Sequence, residues 1–524
     1  MLAETGHPAS SRPPALDLEE HGVLIAQGLP PAPGDLRFHR QMVYAVASMV
    51  MASFSVALGR EPSWGFRERP DGVPDRLRLR PHCASMRNAF YDKENGELCF
   101  GWFEAAEDAG AGAAVPPRGR VYACLSHDIV AHEMAHALLD GMRGLLAEPT
   151  NPDVFAFHEA FADIVAVLQQ FSYSAGVREA LRRGGGRLDR GGVIFELAEQ
   201  FGRASGCGGP LRTWLDRRGE PARYDSTAEP HALGSVLVGA VLDALSRVFE
   251  RRVGRLRGLY ALAGLPGAHL HPDYLDILAE GAAKVAGQFL TLCIRAVDYC
   301  PPVDITFGEY LRALVTADRD LVEDDPLGYR EALIASFGRR GIFPGDVPDL
   351  SETSLLWRPP SMTLPRVGAL DMANLRLPPD PGFAPPASEI ERQAAALADL
   401  VTDPAYAAEF GLDTAGKADL PVVESVRTIR RVGPDRQVRF GLVAEVVQTR
   451  ACRVHGREIE FHGGATVILG GAGEVRYVVR KRIDDNGRAG RLAEFRGTPG
   501  GGRAAKAAAS GQPWLAMHEE RPVL

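Results

Sequence analysis

The sequence predicts an α+β protein with a β-containing N-terminal lobe, a mainly helical lobe after it, and a separate, small β-rich C-terminal domain. Three observations predict this. Residues 76–103, "RLRLRPHCASMRNAFYDKENGELCFGWF", alternate in polarity, carry aromatics and contain an Asn95-Gly96 turn signal. From about 122 to about 341 the apolar residues recur at helical spacing. Residues 420–483 return to alternation in "RQVRFGLVAEVVQ" and "ATVILGGAGEVRYVVRK".

The parts follow in order. Residues 1–33 are polar and Pro-rich, the composition of a disordered tail. Residues 34–125 make the first lobe, with a helix over about 36–59, the strands of 76–103, and a loop rich in Ala, Gly and Pro at 104–118. Residues 126–345 are the helical lobe. Residues 346–387 contain "WRPPSMTLPRVGALDMANLRLPPDPGFAPP" and read as a linker. Residues 388–485 open with a helix at 388–403, with Ser388 as N-cap and Glu391 three positions on, and continue as the β-rich domain. Residues 486–524 are a tail containing the low-complexity run "GTPGGGRAAKAAASGQP"; it lacks GxxxxGK[ST], so no phosphate loop is read there.

Composition excludes several classes. Net charge is −8 with no basic face, which argues against nucleic acid. The N-terminal segment has acids where a secretory signal would be basic and no apolar core. The longest uncharged run, Met42 to Leu58, is 17 residues and includes Ser48, Ser53 and Ser55, which favours a buried helix over a membrane span. The seven cysteines are scattered without a CxxC pair, as expected for a reducing compartment. These features predict a cytoplasmic protein.

The chemistry centres on "SHDIVAHEMAHALLD". On a helix capped near Ser126, His132 and His136 lie i, i+4 and share a face, a spacing at which two imidazoles can bind one zinc ion. Glu133 lies about 100° round the helix, placed to reach a water rather than to ligate. The following segment, "EPTNPDVFAFHEAFADIVAVLQQF", predicts a second helix capped by Asn151 or Asp153. It carries Glu159 and Asp163 on one face among Phe157, Phe161, Ile164 and Val165, where unpaired acids are costly. Glu159 can supply a third ligand, and Asp163 can accept the free N–H of a ligating histidine. His158 as third ligand, and Asp163 as ligand with Glu159 in support, are the alternatives.

HExxH followed by a helix with E-A-x-x-D resembles the thermolysin family of zinc metallopeptidases, the gluzincins. The resemblance covers roughly residues 36–345. It implies a thermolysin-like fold with one catalytic Zn2+ in the cleft between the lobes, held by His132, His136 and Glu159. It also implies Glu133 as general base and Asp163 as the partner of a ligating histidine. "NAFYD" at 88–92 is similar to the family's edge strand, so Asn88 and the carbonyl of Ala89 are expected to hold the substrate backbone. "EPHALGSVLVGAVLDAL" resembles the helix that carries the family's transition-state histidine, here His231, followed by the small Gly234 and Ser235. "DPLGYREALIASFGRRGI" looks like the closing helix of the fold.

The chain departs from the family in the missing tyrosine and in showing neither the secretory signal nor the calcium loop of familiar members. Residues 137–158 contain no tyrosine to share the oxyanion with the histidine, which leaves His231 alone or aided by Tyr224 or Arg223. Asp225 and Glu229 lie near His231 but read as solvated acids. His127 reads as a helix-start residue, and His269 and His271 as structural. No calcium loop is indicated. The function expected is peptide-bond hydrolysis on a peptide or protein substrate, without nucleic acid or membrane. The alternative is a catalytically latent, zinc-stabilised binding protein that engages a protein partner through 420–483.

Overall fold

The computed structural model describes residues 16–66, 76–105, 118–188, 196–197, 212–213, 221–264, 270–376, 385–433, 435–454 and 456–509. Residues 1–15 of the expected tail, 106–117 of the expected loop, His269 and residues 510–524 lie outside them. Residues 16–33 depart from the expected disorder. They contain a short helix, α1 (His21–Ile25), and are tied down at Leu29, whose N–H and carbonyl both bond the Gln41 side-chain amide.

Helix α2 (Leu36–Leu58) matches the predicted helix. Asp35 caps it by accepting the Arg37 N–H, and Gly59 ends it at φ +68°, a conformation open to glycine at little cost. Its Val43, Val46, Val50, Phe54 and Ala57 bury in the core at helical spacing. The strands follow: β1 (Arg78–Arg80), β2 (Ala89–Asp92), β3 (Glu97–Phe100), β4 (Trp102–Glu104) and β5 (Arg120–Tyr122). β1 pairs parallel and β2 antiparallel with β3, so β2 is an edge strand in the order β1-β3-β2. The turn between β2 and β3 uses Asn95-Gly96 as expected: Asp92 accepts from the Asn95 backbone and side chain, and Gly96 sits at φ +60°.

The helical lobe begins with α3 (His127–Met142) and α4 (Pro152–Gln170). Ser126 is the N-cap residue of α3, though its side chain makes no cap bond. Asn151 caps α4 with Pro152 in the first turn, where its missing N–H costs nothing. After α5 (Ser174–Arg183) and the two-residue strands β6 (Glu196–Leu197) and β7 (Arg212–Thr213) come α6 (Pro230–Leu262), α7 (Pro272–Val297), α8 (Phe307–Arg319) and α9 (Tyr329–Arg339). Three of these helices, α2, α6 and α7, are long and apolar enough to cross a membrane by length and composition. Their apolar windows are 39%, 72% and 56% buried inside the protein, so α6 and α7 spend most of that surface on neighbouring helices.

The remaining segments depart from the expected linker, separate domain and tail. Residues 346–357 pack on the helical lobe: Leu355, from the helical turn α10 (Glu352–Leu355), is buried, and the Trp357 indole N–H donates to the Tyr299 carbonyl at 2.9 Å, whereas Leu364, Val367, Leu370 and Leu375 join the apolar cluster of the C-terminal strands. Helix α11 (Ala387–Thr402) starts at Pro386 rather than Ser388, because the Pro386 carbonyl accepts the Glu389 and Ile390 N–H groups. An antiparallel sheet follows, β8 (Val422–Val432), β9 (Val438–Val454), β10 (Arg457–Gly470) and β11 (Val475–Lys481), in the order β11-β10-β9-β8. It is docked rather than separate, since Ile429, Val443 and Ile468 belong to the same apolar core as the helices. Buried charges line the junction. Arg60 binds Asp298 through two hydrogen bonds, and Glu445 lies between Arg143 and Arg427. The expected tail continues as α12 (Asn486–Gly497), capped by Asp485, and the alanine-rich α13 (Pro499–Ala509), because alanine is the strongest helix former.

Candidate metal centre

Helices α3 and α4 pack in antiparallel register, His132 opposite Asp163 and His136 opposite Glu159. Nearly all of both helices is buried, including every polar group of the motif: His132 at 4%, Glu133 at 2%, His136 at 0%, Glu159 at 1% and Asp163 at 4% exposure. Polar groups so buried must meet partners or a cation.

They meet one another. His132 and His136 bring their Nε2 atoms to 3.0 Å. Glu159 faces both rings, with Oε2 3.5 Å from His132 Nε2 and Oε1 3.4 Å from His136 Nε2. One ligand atom from each of the three lies within 4.8 Å of the others, so the group can hold a metal ion. The third donor from the second helix is Glu159. His158 stacks on His136 with ring centroids 5.7 Å apart and stands outside the donor group.

Asp163 Oδ1 lies 2.8 Å from His132 Nδ1, the nitrogen turned away from the donor group. That contact fixes the tautomer and leaves Nε2 for a cation. The electrostatics follow the geometry. Burial works against a charged His132 ring, but Asp163 and Glu159 more than offset it and raise its pKa to about 10. Burial lowers His136 and, more strongly, His158.

His231 reaches the group from α6. Its Nδ1 is 3.0 Å from Glu159 Oε2 and its Nε2 is 3.9 Å from Glu229. The approach depends on Gly234, where an added Cβ would stand 2.9 Å from the Ala156 carbonyl oxygen and 3.4 Å from the Ala160 nitrogen. Only a residue without a Cβ allows α6 this close to the turn of α4 that carries Glu159. Glu229 proves to be the α6 N-cap, accepting the His231 and Ala232 N–H groups, whereas Asp225 bonds Thr227.

The two residues weighed as substitutes for the absent tyrosine are engaged elsewhere. The Tyr224 hydroxyl donates to Asp153 at 2.7 Å, roughly two helical turns before Glu159. Burial raises the Asp153 carboxyl to about 6 even though the Phe307 N–H and Tyr224 hydroxyl pull it down. Arg223 is exposed, with its guanidinium on the side of Gly341, where an added Cβ would stand 3.7 Å from it.

At the proposed substrate strand, the Asn88 carbonyl accepts the Gly101 N–H, so strand alternation turns the Ala89 backbone toward the outer edge of β2. The Asn88 side-chain oxygen accepts the Ala89 N–H at 2.9 Å. β2 is anchored to the end of α3 by Tyr91 and Lys93, which both bond Asp140.

One chemistry-bearing cluster escaped sequence reasoning: His39, His82 and Cys124, all buried, whose ligand atoms also lie within 4.8 Å of one another. They come from three distant segments, and no spacing rule joins them.

No protein-family model matches the chain, and no curated protein matches it.

Proposed function

We propose that the chain is a thermolysin-like zinc metallopeptidase that hydrolyses peptide bonds. The observation that carries this reading is the joint placement of two i, i+4 histidines, a glutamate on the facing helix and His231 from a third helix, with the buried Glu133 next to His132 in the chain. The donor set of two imidazole nitrogens and one carboxylate oxygen suits a catalytic zinc ion, with a coordination position left over. When bound there, zinc supplies Lewis acidity and lowers the pKa of a water ligand to about 7.

The chain's own residues do the rest. Asp163 holds the His132 ring, and Glu159 bridges the two histidines. The Glu133 carboxylate takes the proton from the attacking water and returns it to the leaving amine nitrogen. His231 offers an N–H to the developing oxyanion from the Glu159 side of the cleft. The outer edge of β2 extends the substrate as an added strand, with Asn88 and Ala89 at its start. A cytoplasmic setting is part of the same proposal and rests on composition.

The latent binding-protein reading requires no proton-transfer group, whereas Glu133 and His231 both stand at the donor group. The deciding experiment is hydrolysis of a quenched-peptide library by the full chain, with zinc assayed in the same sample and Glu133→Gln purified identically. Cleavage lost in the variant while zinc remains supports the peptidase. Zinc without cleavage in either protein favours the latent reading.

A further inference from the structure

We propose that His39, His82 and Cys124 form a second transition-metal site, of zinc-binding character, that clamps the N-terminal lobe to the entrance of α3. Its parts come from the first turn of α2, from the segment ahead of β2, and from the turn after β5. His39 and His82 are 43 residues apart in the chain, and Cys124 lies three residues before α3 begins.

The histidine chemistry is arranged for a cation. His39 Nε2 lies 2.8 Å from the Pro33 carbonyl oxygen, which can only accept, so that nitrogen carries the hydrogen. In the neutral ring Nδ1 then holds a lone pair, and it points inward, 2.8 Å from His82 Nε2. A carbonyl that fixes the tautomer of a ligating ring is the usual support of a metal-bound histidine. Tyr122 packs edge-on against both rings, at centroid distances of 4.7 and 5.4 Å, and limits their rotation. Cys124 completes the group with a sulfur donor and is fully buried.

The spacing needs only small adjustments. Zinc bonds of about 2.0–2.1 Å to nitrogen and about 2.3 Å to sulfur put the donors of one tetrahedral ion roughly 3.3–3.6 Å apart. The two rings would open slightly, and the sulfur already lies within 4.8 Å of a ring nitrogen of each histidine. Two imidazoles and a thiolate select zinc-like ions over magnesium or calcium, which take oxygen donors. Three protein donors leave the fourth position to water. Among the described residues the group is framed by the Pro33 carbonyl and the Tyr122 ring, so the role assigned to it is a cross-link.

The test uses the full chain, kept reduced, stripped with a chelator and reloaded with Co2+. The expected result is two equivalents bound, with a thiolate-to-cobalt charge-transfer band in the near ultraviolet. His136→Ala should bind one equivalent and keep the band. Cys124→Ser should also bind one equivalent but lose the band. A single equivalent without a band in the unmodified chain overturns the proposal, as does a band that survives in Cys124→Ser. If Cys124→Ser fails to fold, the unmodified chain and His136→Ala still decide. The readout is independent of peptide hydrolysis, so this proposal can fail while the functional reading stands.

Discussion

The group of His132, His136 and Glu159 and the group of His39, His82 and Cys124 both bring two ring nitrogens to 3.0 Å or less inside the protein, yet they are assembled differently. The first takes two donors from consecutive turns of α3 and a third from the next helix, over a short loop. The second joins segments more than forty residues apart. Their surroundings differ as well. The first has Glu133, Asp163 and His231 at hand, groups that move or hold protons. The second has a backbone carbonyl and a tyrosine ring. A metal with proton-transfer groups beside it can do chemistry, whereas one framed by a carbonyl and an aromatic edge can only hold segments together.

The largest contrast is expected from Glu133→Gln. It should lower peptide hydrolysis by roughly 10²–10⁴-fold, the usual scale for losing a positioned general base, and leave the metal count unchanged. Fluorogenic-peptide assays with metal analysis check it, and retained hydrolysis would remove Glu133 from the mechanism. Cys124→Ser should do the reverse, lowering the metal count by one with much the smaller effect on hydrolysis. Equal losses of hydrolysis in the two variants would erase the distinction between the sites.

Asp163→Asn should weaken metal binding at the motif roughly 10–100-fold, as losing the carboxylate behind a ligating histidine does. Competition with a chromophoric chelator measures this, and unchanged affinity would show that Asp163 does not orient His132.

Arg143→Ala addresses the scaffold rather than either metal group. Arg143 is 1% exposed and donates to the Val297 carbonyl and Thr466 while lying 3.3 Å from Glu445. Its loss should cost about 3 kcal/mol in urea unfolding, because Glu445 stays buried with one cation fewer. A cost below about 1 kcal/mol would show that Arg427 alone suffices.

The smallest effect is one of pH. Burial raises Asp298 and Glu445, but the arginines outweigh it: Arg60 beside Asp298, and Arg143 with Arg427 around Glu445. Both carboxyls end below their ordinary values of 3.8 and 4.5. Groups lowered on folding stabilise the native state above the unfolded pKa and lose that contribution as pH falls through the folded one. Through these two groups the urea midpoint should therefore fall as pH drops below about 4.5. A midpoint that rises on acidification in that range would contradict the sign.

What was legible in the sequence was local. The i, i+4 histidines, the Asn151 cap, the Asn95-Gly96 turn and the alternation of β8 to β11 are all set by neighbours within a few positions. Gly234 was readable as a close-packing residue because it lies three positions after His231. Docking was not legible. Residues 346–387 look like a linker because proline is frequent, but Leu355 is buried and Trp357 packs half-buried all the same. The alternating strands predict a face to be covered without saying by what: Ile429, Val443 and Ile468 join the core of the helical lobe, while Leu442, Ala444, Val446, Val467 and Leu469 pack with Leu397, Leu400 and Val401 of α11. The His39 group needed three coincident positions across the fold, which no spacing encodes.

The end of α3 carries a consequence of its own. Its last turn holds no basic residue; Arg427 of β8 bonds the Met142 carbonyl and shares the Gly141 carbonyl with the Ser63 hydroxyl. Arg427 follows Met142 by 285 positions. At a translation rate of about 5–20 residues per second, the ribosome finishes α3 roughly 15–60 s before it makes the Arg427 side chain that bonds its last carbonyl. If the activity is peptide hydrolysis, the nascent chain carries every ligand of the motif well before the buttress behind them exists. A chain assembled in that order completes the support of its motif late in synthesis, by topology alone.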